Sequence, residues 1–288
     1  MTSPIIDAHQ HFWDPTTGDY PWLAGPFEPI ARVFGPEDLR PSLVSQRVSG
    51  TVLVQTWNDL GETRDYLRIA AETDFVAGVV GWVDLTDPRV SRTIAGLRAG
   101  PYGKWLVGVR HLVQDEPDPN WLLREDVRRG LAALDEAGLV YDLVVKPPQL
   151  PAALKTVVDF PHLRFVLDHI GKPDIKGRGF EAWAALVRGF AAHRSHVWCK
   201  LSGMVTEADW TSWSPRDLQP YIAEMLEIFG PDRCMFGSDW PVCLVAGRYD
   251  QAVDALRAAL IGLSETERAR IFGQSAIEAY RLPGLVVD

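Results

Sequence analysis

Residues 5–13 of this 288-residue chain read IIDAHQHFW, a short apolar segment that ends in two histidines, His9 and His11. Its length and β-branched content are typical of a buried strand. The segment runs directly into an aromatic loop and lacks the GxGxxG motif that follows the first strand of a doubly wound dinucleotide-binding sheet. We therefore interpret it as the first strand of a closed barrel rather than of an open sheet.

Seven further apolar segments follow, and amphipathic stretches with helical periodicity separate them. The predicted strands are Ile5–His9, Thr51–Trp57, Val76–Asp84, Leu106–His111, Val140–Lys146, Arg164–His169, Val197–Ser202 and Cys234–Asp239. The predicted helices are Pro36–Arg47, Glu62–Thr73, Pro88–Arg98, Arg124–Ala137, Gln149–Val158, Phe180–His193, Pro215–Phe229, Tyr249–Leu260 and an extra C-terminal segment, Ser264–Tyr280. Eight strand-then-helix units without a linker predict an α/β fold, a single (β/α)8 TIM-barrel domain over residues 1–288.

Composition excludes several classes of protein. Hydrophobic residues make up 47% of the chain, as a full core requires, and the formal charge of -9 disfavours nucleic acid or an anionic membrane as partner. The first residues lack the features of an export signal, and no apolar run reaches the roughly 18 residues of a membrane span. Cys199, Cys234 and Cys243 form no CxxC pair, which favours reduced thiols in a cytoplasmic protein. Assembly into a homo-oligomer stays open.

Active sites of TIM barrels lie at the carboxyl ends of the strands, and four polar residues fall there. His9 and His11 are two residues apart, so both imidazoles point the same way; His169 ends the sixth strand and Asp239 the eighth, the neighbour of the first. His9, His11 and Asp239 are candidate ligands of one divalent metal ion, and Asp239 is also a candidate base. The alternatives are structural histidines and, for Asp239, a helix cap. Asp168, beside His169, is expected to face away from this site and into a structural hydrogen bond.

Other polar and aromatic residues at strand ends are candidates for substrate contact. An arginine there offers a fixed fork of donors to substrate oxygens, although a salt bridge from Arg110 to Asp115 or Glu116 is an alternative. The aromatic residues stack on sugar-like rings or simply pack. The candidates are Gln55, Trp57, Trp82, Arg110, His111, Lys146 and Trp240.

Five stretches between residues 5 and 242, namely IIDAHQHFWDP, GVRHLVQDE, VLDHIGKP, CKLSGM and MFGSDWPV, resemble the amidohydrolase superfamily. The similarity is to its amidohydrolase-2 type, and within it to the sugar-lactonase and 2-pyrone-4,6-dicarboxylate hydrolase branch. The resemblance implies a hydrolase of carbohydrate metabolism that opens a sugar-acid lactone such as L-fuconolactone. It also implies that His169 lies beside the substrate carbonyl and that Asp239 activates water.

The sequence departs from the two-metal members of the superfamily. Where they carry a bridging lysine and a further histidine, this chain has Arg110-His111 and Lys146. We therefore expect one divalent metal, with zinc as the leading candidate, or none.

Two other functions compete with lactone hydrolysis. One is a zinc-dependent decarboxylase of an aromatic or unsaturated carboxylic acid, although Asp7 stands where the ExHxH motif of many such enzymes has glutamate. The other is a barrel that binds a ligand without catalysis.

Overall fold

The computed structural model describes residues 3–284, so the outermost residues of the predicted 1–288 domain lie outside the described part. Within this range, eight strands form one parallel sheet in the order β1 to β8. The strands β1 to β8 are Ile5–Gln10, Val48–Val54, Val76–Gly81, Leu106–His111, Val140–Leu143, Arg164–Leu167, Val197–Leu201 and Cys234–Phe236. The α-helices α1 to α11 are Pro36–Gln46, Leu60–Glu72, Val90–Ala99, Glu125–Ala137, Leu150–Asp159, Phe180–Val187, Met204–Glu207, Pro215–Phe229, Tyr249–Ala259, Glu265–Ala269 and Ser275–Tyr280. The predicted (β/α)8 barrel is confirmed.

Backbone hydrogen bonds between β1 and the segment after β8 close the barrel. The amide of Asp239 donates to the carbonyl of His9 at 2.8 Å, and the amide of His11 donates to the carbonyl of Trp240 at 2.7 Å. The two bonds fall at the carboxyl end of β1, where the paired histidines lie. Closure of the sheet therefore brings Asp239 directly beside them.

Several element boundaries differ from the predictions. Strands β5, β6 and β8 end three, two and three residues earlier than predicted, at Leu143, Leu167 and Phe236. The apolar sequence continues into the loops, so hydrophobicity alone does not mark where the ladder hydrogen bonds stop. The helix predicted from Phe180 changes to 3₁₀ geometry after Val187. The predicted C-terminal helix is divided into α10, a π-helical turn at residues 270–274, and α11.

Apolar side chains pack inside the barrel and between the strands and the outer helices. All eight strands contribute to the inner cluster, and α11 closes one end of it with Ala276, Ile277, Ala279 and Tyr280. The cysteines Cys199, Cys234 and Cys243 are buried free thiols. Among the helices of residues 3–284, none combines the length and apolarity needed to cross a membrane.

Gly273 allows the π-helical turn to pass close to the start of β1. A Cβ atom at this position would lie 2.0 Å from the carbonyl oxygen of Pro4, a backbone atom that cannot rotate away. We expect Gly273→Ala to lower the free energy of unfolding by about 1–3 kcal/mol through overpacking. Urea denaturation measures the change. Gly262→Ala is the control, because a Cβ there meets no atom within 4 Å; equal effects of the two substitutions would contradict the explanation.

Candidate active site

The four residues predicted from the strand ends, His9, His11, His169 and Asp239, lie in contact at the carboxyl end of the barrel. The Nε2 atoms of His9 and His11 are 3.1 Å apart. Oδ1 of Asp239 lies 3.3 Å from Nε2 of His11, 3.8 Å from Nε2 of His9 and 3.9 Å from Nε2 of His169. All four side chains are buried, so they form one constellation screened from bulk solvent.

The local backbone conformation orients the side chains of His169 and Asp239. His169 and Asp239 both follow the ends of their strands and both have positive φ, 51° and 58°. Such φ values are uncommon for residues other than glycine and recur where the surrounding structure holds a functional side chain in place. Next to them, a Cβ at Gly203 would lie 2.4 Å from Nδ1 of His169, so only glycine leaves room for this imidazole.

The structure corrects the expectation that Asp168 faces away from the site. Strand β6 ends at Leu167, so strand alternation no longer applies, and Asp168 is buried within the barrel. Its Oδ2 accepts a hydrogen bond from Nη1 of Arg110 at 3.0 Å. Arg110 therefore pairs with Asp168 and not with Asp115 or Glu116.

Lys200 is the centre of the polar network beneath the histidines. Its fully buried ammonium donates to Oδ2 of Asp142 at 2.6 Å and lies 3.0 Å from Oδ1 of Asp168 and 3.1 Å from Nδ1 of His9. The hydroxyl of Tyr280, on α11, donates to the same Asp142 oxygen at 2.7 Å. Two carboxylates compensate the buried cation, and the chain of contacts connects the C-terminal helix to His9.

Burial and charge determine the protonation of the constellation. Burial lowers the pKa of His169 to about 4, and burial also lowers the pKa values of His9 and His11. Burial alone would raise the pKa of Asp239, but the neighbouring imidazoles of His169 and His11 more than offset this effect and lower it. At neutral pH the site therefore presents three neutral imidazoles around an ionised carboxylate.

This donor set fits a divalent metal. Among residues 3–284, the ligand atoms of His9, His169 and Asp239 lie within 4.8 Å of one another. Nδ1 of His11 lies 2.7 Å from the carbonyl oxygen of Val54, and Nδ1 of His169 lies 2.9 Å from Oγ of Ser202. Oxygen partners at Nδ1 leave Nε2 free to bind, as is usual for histidine ligands of metals.

A cavity of about 300 Å³ lies above the constellation. It has the concave shape and mixed polarity of a small-molecule site. Arg110 and Lys146, both predicted to contact substrate, line it. The other lining residues are His11, Trp22, Phe27, Thr56, Leu112, Gln114, Asp115, Val144, His169, Lys172, Asp239 and Val242.

The remaining substrate-contact candidates lie outside the lining of this cavity. His111 accepts a hydrogen bond from the indole nitrogen of Trp82 at 3.1 Å and stacks on Trp121 with ring centroids 4.0 Å apart. Gln55 is buried and donates to the carbonyl of Arg110 at 3.1 Å.

The two other tryptophan candidates are held by backbone and ring contacts. The backbone amide of Trp57 donates to Glu62. Trp240 is buried and packs edge-on against Phe34, with ring centroids 5.3 Å apart.

Sequence reasoning missed several residues of the site. Trp22 and Phe27 reach the cavity from 3₁₀ turns in the loop after β1, where no periodic pattern marks them. Lys172 and Gln114 also line the cavity. Asp142 lies within a strand that reads as apolar; an acidic residue in such a strand is the one signal that could have identified it.

The chain resembles known proteins over almost its full length. The profile of the amidohydrolase family matches residues 6–282. An L-fucono-1,5-lactonase of Burkholderia multivorans is 38% identical, over 96% of each chain. An L-fucono-1,5-lactonase of Burkholderia ambifaria is 36% identical, over 96% of this chain and 95% of that protein. A crystal structure of a B. multivorans amidohydrolase with bound zinc superimposes with a TM-score of 0.92 at 37% identity and covers 98% of this chain and 100% of that chain.

Replacement of Lys200 tests the importance of the buried cation. Lys200→Met removes the charge that compensates Asp142 and Asp168, so we expect the free energy of unfolding to fall by about 3–5 kcal/mol. Tyr280→Phe removes one hydrogen bond to the same network, and we expect it to cost about 1 kcal/mol. Chemical denaturation of both variants measures the difference. A Lys200→Met protein as stable as the wild type would show that the network carries no compensating charge.

Proposed function

Because the chain belongs to the amidohydrolase family, we propose that it opens the lactone ring of a sugar acid, an aldonolactone such as L-fuconolactone, by direct attack of water. The observation that carries the proposal is the contact of Asp239 with His9, His11 and His169 at the base of a cavity. The similarity to two L-fucono-1,5-lactonases supports lactone hydrolysis and gives less support to the decarboxylase alternative.

Asp239 acts as the base in this mechanism. Its lowered pKa keeps the carboxylate ionised at neutral pH, and it faces the cavity where a water molecule reaches the lactone carbonyl. The carboxylate takes a proton as the water oxygen bonds to the carbonyl carbon. When the bond from that carbon to the ring oxygen breaks, Asp239 returns the proton to the leaving oxygen. The product is the open hydroxy acid.

The imidazoles stabilise the negative charge that develops on the carbonyl oxygen. Nη1 of Arg110 lies 3.2 Å from Nε2 of His9, and the ammonium of Lys200 lies 3.1 Å from Nδ1 of the same ring, so these two cations hold the imidazole beside Asp239. Polar groups oriented in advance in a buried site are effective partners for an oxyanion. Arg110 and Lys146, which line the cavity, orient the substrate oxygens.

His9, His11 and Asp239, together with His169, would hold a single divalent ion, for which zinc is the leading candidate. The zinc in the related B. multivorans structure and the compact His–His–Asp group support this assignment. A bound zinc ion would supply Lewis-acid polarisation of the carbonyl and a lower pKa for water.

The role of Asp239 is tested by Asp239→Asn, which preserves the size of the side chain and removes the base. We expect kcat for an aldonolactone to fall by about 10²–10⁴-fold, the usual contribution of a general base. A pH-indicator assay follows the acid released, and thermal unfolding shows whether the fold is retained. A folded variant with nearly normal kcat would refute the assignment.

Metal use is tested on the purified protein by elemental analysis and chelation. We expect close to one divalent ion per chain, loss of activity when it is removed, and recovery when zinc is added back. His11→Ala serves as a matched variant with weakened metal retention. Full activity in metal-free protein would contradict the metal assignment and show that the histidines act without a metal.

A further inference from the structure

The positive charges that line the cavity are all compensated. Among residues 3–284, three lysine or arginine side chains line it, and a carboxylate lies within 4.0 Å of each. The pairs are Arg110 with Asp168 at 3.0 Å, Lys172 with Glu207 at 3.3 Å, and Lys146 with Asp115 at 3.5 Å. A substrate carboxylate entering this cavity would have to displace one of these partners.

The Lys146–Asp115 pair is the most accessible of the three. The two side chains are 50% and 52% exposed, whereas those of Arg110 and Asp168 are almost fully buried. Asp115 also lines the cavity, so it presents negative charge to whatever binds there. Repulsion of like charges is a common way to exclude an unwanted ligand.

Gln114, which precedes Asp115, also lines the cavity, and its side-chain oxygen is an acceptor without a hydrogen-bond partner among the described residues. Its Oε1 atom is buried and has no hydrogen-bond partner within residues 3–284, while its Nε2 atom donates to Asp115 at 3.5 Å. Nε of Arg110, another residue of the cavity lining, is a buried donor that also has no hydrogen-bond partner within the described range. Buried polar atoms normally have partners, and at these two atoms of the cavity lining a ligand or an ordered water would supply one. A hydroxyl group donates and accepts, whereas a carboxylate cannot satisfy the oxygen of Gln114.

We propose that Gln114, Asp115 and Lys146, here called the rim triad, determine substrate specificity at the cavity. Gln114 accepts a hydrogen bond from a hydroxyl group of the lactone, and Asp115 neutralises Lys146 so that a substrate carboxylate gains no ion pair. The rim triad thereby selects uncharged, polyhydroxylated lactones and rejects lactones of dicarboxylic sugar acids. The inference rests on the proposed function, since it concerns the substrate of the same site.

The experiment compares kcat/KM for three substrates: an uncharged aldonolactone, an aldaric acid lactone with a free carboxylate, and unsubstituted δ-valerolactone. We expect Asp115→Asn to raise the ratio of the charged to the uncharged sugar lactone by about tenfold, because Lys146 is then free to bind a carboxylate. Adding Lys146→Met to Asp115→Asn should abolish this gain. Gln114→Met should lower the ratio of aldonolactone to δ-valerolactone by about tenfold.

Asp74→Asn is the matched control, because Asp74 is an exposed carboxylate paired with Arg40 at 3.0 Å and precedes β3, at the opposite end of the barrel. Thermal unfolding of every variant verifies the fold. The proposal is overturned if Asp115→Asn behaves like Asp74→Asn, if the gain persists without Lys146, or if Gln114→Met affects both substrates equally. Failure of the wild type to hydrolyse any lactone would instead refute the proposed function.

Discussion

The buried ammonium of Lys200 is the constraint on which the carboxyl end of the barrel depends. It lies between Asp142 and Asp168 and contacts His9, so a single cation connects three strands and the base of the site. Burial would raise the pKa of Asp168, but Lys200, His9 and Arg110 together hold it well below its usual range. A buried charge without a partner is destabilising, so the contacts with Lys200 and Asp168 also restrict where Arg110 and His9 can lie.

Closure of the sheet brings Asp239 next to the three histidines of the constellation. The hydrogen bonds that join β1 to the segment after β8 involve the backbones of His9 and Asp239 themselves. Asp7 reinforces the junction, since its Oδ1 accepts from the amide of Ser238 at 2.8 Å and from the amide of His9 at 3.2 Å. Backbone pairing therefore places Asp239 next to His9 and His11, independently of their side chains.

Electrostatics divides the site into two zones with different tasks. At the base, burial keeps the imidazoles neutral and the histidines keep Asp239 ionised, which suits water activation, with or without a metal. At the rim, ion pairs balance the lysines, and apolar walls from Trp22, Phe27 and Val242 surround the opening. Uncompensated negative charge is thus confined to Asp239 at the base, and the lysines at the rim are neutralised by their carboxylate partners.

The sequence by itself determined the barrel, because eight apolar strands alternating with amphipathic helices leave few other arrangements. It also predicted His9, His11, His169 and Asp239, since the spacing of two residues and the position at a strand end are local properties. Only the tertiary structure decided the rest: that Asp168 turns inward, that Lys200 lies between two carboxylates, and that Gln114 faces the cavity while Trp82 does not. These facts depend on which distant residues become neighbours when loops pack and the sheet closes. The local periodicity of the sequence does not determine such pairings.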